Sequence, residues 1–344
     1  MKTINDPKKF AHDLVGWFQA NKRDLPFRFD KDPYRIFVSE LMLQQTQIDT
    51  MIPYYERFME RFPTVTDLAN ADIDEVMELW AGLGYYRRAR YLHESAQIIR
   101  DQFNGTFPEA LSDIESLKGV GRYTARAIHS IAFNAFSPAV DGNVMRVMTR
   151  ILAYDGDIRK TKHMRAIEET LKPAIKEVNP GDFTEALMEV GALICKKANP
   201  LCEQCPLREY CFAYKHDRQD DFPVVSKRAS KSEHTFYTFV IESDEGFLLT
   251  KRPENGLLAG LPSFPQYEAD SLKEAKSAFE KDYGIPLDQA ERLGTVKHVF
   301  SHRVWHMHGI HLKQNGLTHP SFKAQDKTKA LPTAHKKILD LLKK

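Results

Sequence analysis

Through roughly the first two thirds of the 344-residue chain, apolar positions recur at helical spacing. The pattern predicts helices over Phe10–Phe18, Ile36–Ile48, Ile52–Phe62, Ile73–Trp80, Tyr91–Phe103, Tyr123–Phe133, Val144–Ala153 and Phe183–Cys195. Breaks carry proline, glycine or aspartate, as at Phe62-Pro63, Phe107-Pro108 and Asn179-Pro180-Gly181. Residues 216–233 are polar, hold one proline and show no period, so they read as a linker. Beyond them the pattern turns to alternation and short apolar runs, which predict strands over Thr235–Glu242, Phe247–Lys251, Thr295–Phe300 and Val304–Leu312. Two helical segments, Ser271–Tyr283 and Ala334–Leu342, lie among them. The expected architecture is therefore an all-α domain over 1–215 and an α+β domain over 234–344. No internal repeat or low-complexity tract is visible.

Composition adds limits. Hydrophobic residues make up 42% and charged residues 28%, which excludes a disordered or fibrous chain. No apolar run is long enough for a membrane span, and the polar first ten residues lack a secretory core, so a cytoplasmic, membrane-free protein is expected. Net charge is only +2, with 30 basic and 33 acidic residues in 1–225 against 19 and 14 in 226–344. Nucleic-acid binding through a bulk basic surplus is disfavoured. Arg87, Arg88 and Arg90 form the one local basic cluster of the first domain, either a solvated face or a contact for a DNA backbone.

All four cysteines, Cys195, Cys202, Cys205 and Cys211, lie within 17 residues in the spacing C-x6-C-x2-C-x5-C. Four thiolates in one loop suit tetrahedral zinc or a [4Fe–4S] cluster. Structural zinc usually takes two C-x2-C pairs, whereas only Cys202 and Cys205 are so spaced, and the wide gaps suit the bulkier cluster better. A second motif, Leu117-Lys118-Gly119-Val120-Gly121, joins one helical stretch to the next. Its glycines permit a tight turn, and the unpaired N–H groups opening the following helix form an anion site that can grip a phosphate without surplus lysine. An ordinary helical hairpin explains the same residues.

Leu117–Gly121, the downstream Ser137-Pro138-Ala139-Val140-Asp141 and the cysteine spacing together resemble the helix-hairpin-helix DNA glycosylases of the endonuclease III superfamily. Lys118 stands where proline is common, which leaves backbone-amide contacts intact. Within that superfamily, RDLPFR at 23–28, SELMLQQTQ at 39–47, WAGLGYYRRAR at 80–90, GVGRYTA at 119–125 and VDGNVMRV at 140–147 resemble the MutY family of adenine glycosylases over roughly residues 5–215. Phe27 departs from the family's usual tryptophan. Bifunctional members carry a lysine where this chain has Tyr123, and a phenol cannot form an imine, so a monofunctional enzyme is expected.

The resemblance implies the roles. Glu40, crowded by Phe37, Leu41 and Leu43, is a buried, protonated general acid for adenine rather than a solvated ion-pair partner. Asp141 steadies the cation at C1′ and also has the position of a helix N-cap. Tyr123 and Asn143 orient the sugar, Asp141 or water. Arg28, Gln45 and Glu185 line the adenine pocket. Gln45, Leu83 and Tyr85 lie at the stack vacated by the flipped base, and Gly119, Gly121 and Arg88 meet the DNA. The four cysteines hold a [4Fe–4S] cluster. Expected partners are duplexes with adenine opposite 8-oxoguanine or guanine, bound by a monomer.

The second domain resembles Nudix hydrolases, but around Lys276–Ile285 the magnesium-binding box is a remnant: Ser277-Ala278 and Lys281-Asp282 replace its R-E and E-E pairs, Gly284-Ile285 aligns with the closing G-U, and about one carboxylate of the cage is kept. Too few carboxylates remain to hold Mg²⁺ on a pyrophosphate. Phe300, Ser301 and His302 match the family's 8-oxoguanine-recognition loop, Phe300 as an intercalator and Ser301 as a hydrogen-bonding group. His298, His302, His306, His308 and His311 raise a metal site as a minor alternative. A lyase-type glycosylase, a non-enzymatic damage binder and a nucleotide hydrolase are the competing readings.

Overall fold

The computed structural model describes residues 3–226, 230–253, 256–324, 328 and 331–343. The chain divides into two compact units, 1–71 with 91–227 and 72–90 with 228–344. That departs from the simple boundary expected between residues 215 and 234, because 72–90 groups with the second unit.

The helices run α1 (Pro7–Asn21), α2 (Pro33–Leu43), α3 (Ile48–Arg61), α4 (Val65–Asn70), α5 (Ile73–Leu79), α6 (Arg87–Gln102), α7 (Leu111–Ser116), α8 (Arg122–Phe133), α9 (Gly142–Leu152), α10 (Thr161–Ile175), α11 (Pro180–Leu193) and α12 (Phe212–Lys215). Their starts follow local chemistry. Asp32 caps α2 by accepting from the N–H groups of Tyr34 and Arg35, with Pro33 at the first helical position. Asn179 and Pro180 do the same for α11, and Thr64 with Asp67 forms a reciprocal capping box on α4. The helix expected over Ile36–Ile48 instead ends at Leu43. Gln45 takes a left-handed conformation (φ 57°), which no helix interior allows, and α3 begins afresh at Ile48. Helices α4, α7, α10 and α12 were not anticipated: α4 and α7 are six residues each and α12 is four, too short for a period to register, and α10 is charged and carries Pro173.

In the first unit α1, α9, α10 and α11 bury one core. Phe10, Leu14 and Phe18 meet Val144, Met148, Ile167, Leu171, Phe183 and Val190, each 1% exposed or less. Burying each such side chain contributes roughly 1.5–3 kcal/mol. Helix α11 packs against α1, α8 and α9, and α8 also packs on α2. Between α8 and α11 the buried Ser130 hydroxyl donates to the Pro180 carbonyl at 2.8 Å and pairs with the Thr184 hydroxyl at 2.7 Å. Gly191 permits the close α9–α11 approach, since a Cβ there would stand 2.6 Å from Cβ of Asn143. The expected linker is shorter than 216–233. Buried Arg150 donates to the carbonyls of Gln219 and Phe222, and Ile158 N–H donates to Val224, so residues through 226 belong to the helical unit.

The second unit contains β1 (Ser232–Ser243), β2 (Gly246–Leu248), β3 (Thr250–Lys251), β4 (Pro262–Ser263), β5 (Gln266–Glu268), α13 (Leu272–Tyr283), β6 (Glu291–Val299), β7 (Arg303–Lys313), β8 (Phe322–Lys323) and α14 (Thr333–Leu339). The main sheet has the order β6-β7-β1-β2-β8, with β5 also on β1 and a separate β3–β4 pair. Strands β1 and β7 run parallel, from Ser232 opposite Arg303 to Glu242 opposite Lys313. Phe239 and Ile241 pack with Phe279 of α13 on one face, while Val240 packs with Ile338 of α14 on the other. Cover on both faces explains why β1 reads as an apolar run rather than an alternation. No described helix is long and apolar enough to cross a membrane.

Candidate active site

Four helices of the first unit bring the expected carboxylates together. Helix α2 is buried on nearly every side, and it carries Glu40, 7% exposed, among Ile36, Phe37, Leu41 and Met42. Burial pushes the Glu40 carboxyl up to about 7; a hydrogen bond from the Tyr123 hydroxyl opposes the shift, and the charges of Asp141 and Glu185 add to it. Tyr123, on the first turn of α8, is itself raised well above a free phenol, by burial first and then by the two carboxylates, so it stays a neutral donor.

Asp141 is the N-cap of α9. Its Oδ1 accepts from Val144 N–H at 2.7 Å and its Oδ2 from Asn143 Nδ2 at 3.0 Å. Burial raises its pKa while those donors work against the rise. The capping role and the site role thus fall on one residue. Asn143 is held in turn by Arg146, whose Nη2 donates to its side-chain oxygen at 2.9 Å.

Arg28 and Glu185 form an ion pair, Nε to Oε1 at 2.8 Å, with side chains 13% and 9% exposed. Lys31 donates to the other Glu185 oxygen at 3.0 Å. Arg23 and Glu189, which sequence reasoning did not single out, extend this network: Arg23 pairs with both oxygens of Glu189 at 2.9 and 2.7 Å, and Arg28 reaches both at 3.2 and 3.1 Å. Glu185 and Glu189 are four apart on one helix, a spacing that shows a shared face but not the partners across it.

The segment Leu117–Gly121 turns between α7 and α8. Gly119 has φ 74°, and a Cβ there would stand 2.7 Å from the Tyr91 ring. Gly121 is the N-cap of α8 and no side chain caps that end. Gln44 Nε2 bridges α2 to this turn, 3.3 Å from the Gly119 carbonyl. Gln45 and Tyr85 are exposed, and both hold left-handed backbone, with φ 57° and 49°. Non-glycine residues adopt that region at a cost, and such strain concentrates at working surfaces.

Two expectations in the neighbouring segment are corrected. Leu83 is 6% exposed, so its side chain is packed rather than projecting. Arg88 is 6% exposed, donates to the Gly84 carbonyl at 3.0 Å and stacks its guanidinium over Trp80 at 5.2 Å. Committed to its own turn, Arg88 is not a surface cation; Arg87 is the exposed member of the cluster.

Cys195, Cys202, Cys205 and Cys211 line one small cavity with Arg150, Ile194 and Gln219. Their loop is tied to α9. Arg146 donates to the carbonyls of Cys195 and Gly191, both at 2.6 Å, and Arg150 donates to the Lys196 and Lys197 carbonyls at 2.8 and 3.2 Å. Arg150 Nη1 also lies 3.4 Å from Cys195 Sγ. The α9 spacing Asn143, Arg146, Arg150 puts these side chains on one face and was legible as such. Among the described residues, no three histidine, cysteine or acidic side chains stand together closely enough to hold a single metal ion.

In the second unit, Phe300, Ser301 and His302 lie at the β6–β7 turn, which is closed by Phe300 N–H donating to the Arg303 carbonyl at 2.8 Å. Ser301 and His302 are exposed. Phe300 does not project as an intercalator would. It packs edge-on to Trp305 and His298, at 4.7 and 4.5 Å between ring centres, and Val299 is the exposed apolar side chain there. The strand histidines are separately engaged, His306 with Glu233, His308 with Thr295 and His311 with Glu242. The box carboxylates serve the fold: Asp282 accepts from the Tyr267 hydroxyl at 2.6 Å, and Glu280 accepts from Leu287 N–H at 3.0 Å.

Residues 38–173 match the HhH-GPD superfamily of base excision DNA repair proteins, and 237–341 match the NUDIX domain. An adenine DNA glycosylase of Buchnera aphidicola subsp. Baizongia pistaciae is 34% identical, over 97% of both chains. One of Arabidopsis thaliana is 35% identical over 94% of this chain, which spans 60% of that longer protein. A solved thermostable thymine-DNA glycosylase superposes with a TM-score of 0.54 at 26% identity, covering 61% of this chain and 97% of its own.

Proposed function

Since the chain belongs to the adenine DNA glycosylase family, we propose that it excises adenine opposite 8-oxoguanine or guanine by hydrolysis, without lyase chemistry, acting as a monomer on duplex DNA. The observation that carries this is Glu40, a buried carboxyl kept near half-protonation at neutral pH beside Tyr123 and Asp141.

The extruded adenine enters the pocket with Glu40 facing N7 of its ring. Glu40 donates its proton there, and the C1′–N9 bond breaks with its electron pair leaving on the base. Positive charge develops on the sugar, and the Asp141 carboxylate, fixed by Val144 and Asn143, stabilises it electrostatically. Water then attacks C1′ and passes its proton to a carboxylate. Tyr123 offers a hydroxyl where an amine would be needed for an imine, so no covalent amine adduct forms. Arg28 and Glu185 read the base edge. A DNA phosphate sits on the uncapped N-terminus of α8 at Gly119–Gly121. Gln45 and Tyr85 fill the vacated stack, and Ser301 with His302 reads the opposite base.

For the four cysteines the reading is a [4Fe–4S] cluster: their thiols line one cavity, and the spacing C-x6-C-x2-C-x5-C suits the bulkier cluster better than zinc held by two C-x2-C pairs. Cys195, Cys202, Cys205 and Cys211 would hold it. The cluster would serve as a cross-link that organises the loop.

Single-turnover excision on an A:8-oxoguanine duplex tests the reading. The wild type is expected to release adenine and Glu40→Gln to lose about 10²–10⁴-fold in rate while still binding the duplex. Equal rates would overturn the assignment. Efficient borohydride trapping of a protein–DNA adduct would overturn the hydrolytic mechanism.

A further inference from the structure

Glu189 has no part in the steps above, yet it is among the most completely bonded carboxylates of the molecule. Its side chain is 1% exposed. It accepts from Arg23 N, Nε and Nη2 at 3.0, 2.9 and 2.7 Å, and from Arg28 Nη1 and Nη2 at 3.2 and 3.1 Å. Burial alone would raise its pKa, but the two guanidinium groups overcome that and hold it at about 2.

The consequence falls on Arg28. A guanidinium has five N–H groups in a fixed fork and prefers to grip a carboxylate with two. Here Arg28 meets Glu185 through Nε alone at 2.8 Å, while Nη1 serves Glu189 and the Arg23 carbonyl and Nη2 serves Glu189. Among the described residues, one Nη2 hydrogen has no acceptor. Glu185 and Glu189 stand one turn apart on α11 and compete for a single guanidinium, and Glu189 takes both outer nitrogens.

We propose that Glu189 is a positioning residue of the adenine pocket: its grip on the outer nitrogens fixes Arg28 so that only Nε meets Glu185, whose second oxygen Lys31 holds at 3.0 Å, leaving one Arg28 N–H as donor and the Glu185 carboxylate as acceptor for the edge of an extruded purine. The inference rests on the adenine-excision reading of this site. With Glu189 neutral, Arg28 swings onto Glu185 and closes both the donor and the acceptor. It also cancels part of the Glu185 charge. The groups that bear on Glu40 are the Tyr123 hydroxyl from α8, Asp141 at the head of α9 and Glu185 from α11, and Glu185 is one of the two that favour its protonated form. Weakening that charge makes Glu40 lose its proton at lower pH.

The test is single-turnover excision against pH for the wild type, Glu189→Gln and Arg23→Met, with thermal melts to establish folding. For Glu189→Gln the closed pocket lowers the rate at every pH, and the alkaline midpoint falls as well, so the loss at pH 8 exceeds the loss at pH 5.5 severalfold. Arg23→Met leaves Arg28 on Glu189 and leaves the midpoint in place. If the Gln variant does not fold, Glu189→Asp carries the test with a smaller shift in the same direction. A uniform loss at every pH with an unmoved midpoint, or the same shift in Arg23→Met, overturns the proposal. A wild type that excises no adenine overturns the reading beneath it, which is a separate outcome.

Discussion

At the scale of the residue, Glu40 combines two opposed requirements. A general acid must keep its proton near neutral pH, and the carboxyl does so because burial raises it to about 7. In the proposed mechanism excision uses the protonated form and is expected to fall about tenfold per pH unit above that midpoint, read as the alkaline limb of a single-turnover profile. The same shift costs stability. The native state binds the Glu40 proton more tightly than the unfolded chain does, so the contribution is full below the ordinary glutamate range and is lost as pH rises through about 7. Glu40→Gln is thus expected to melt above the wild type at pH 8, by about 2–3 kcal/mol of stability, and to differ little near pH 4.5. Equal melting at both pH values would mean that the carboxyl is solvated. Sequence reasoning reached Glu40, Tyr123 and Asp141 because each lies in a local motif. It reached neither Glu189 nor Arg23, because what matters about them is which partner they bond across 166 residues.

At the scale of the element, α9 joins the site to the cysteine loop. Its N-cap is Asp141, its first turn carries Asn143, and Arg146 and Arg150 bond the loop carbonyls. Arg150→Met leaves several buried carbonyls without a donor, and we expect it to cost about 2–4 kcal/mol and to loosen the loop, seen as faster hydrogen exchange at Lys196 and Lys197. Unchanged exchange would separate the loop from the helix. The long periodic helices were legible because one face of each is apolar. The end of α2 was not, because Gln44–Gln47 is as polar as an exposed helical turn and the break lies in backbone conformation alone. Arg88 and Phe300 show the same limit. Type and position suggested outward contacts, but Trp80 and Trp305 each offered an aromatic surface on which the side chain packs instead.

At the scale of the whole molecule, the near-neutral charge is compatible with DNA binding if the contacts are helix-end amides and a few projecting side chains rather than a basic field. Binding then has a shallow salt dependence, fewer released ions than a basic groove would give. A fragment ending at residue 226, which keeps 72–90 and removes the strands and helices after 230, is expected to retain adenine excision while losing preference for 8-oxoguanine over guanine opposite the adenine; full discrimination by that fragment would remove the proposed lesion-reading role from the segment after 230. A visible iron–sulfur absorption band that bleaches on oxidation would identify the metal at the four cysteines, and its replacement by stoichiometric zinc would refute the cluster. The central claim is acid-catalysed, hydrolytic removal of adenine, and one measurement meets it most directly: single-turnover release of free adenine from A:8-oxoguanine, A:G and A:C duplexes across pH 5–9. The account predicts release fastest from A:8-oxoguanine, with a limb falling above about pH 7 that disappears with activity in Glu40→Gln. Release that is independent of pH, or undiminished in that variant, would contradict it.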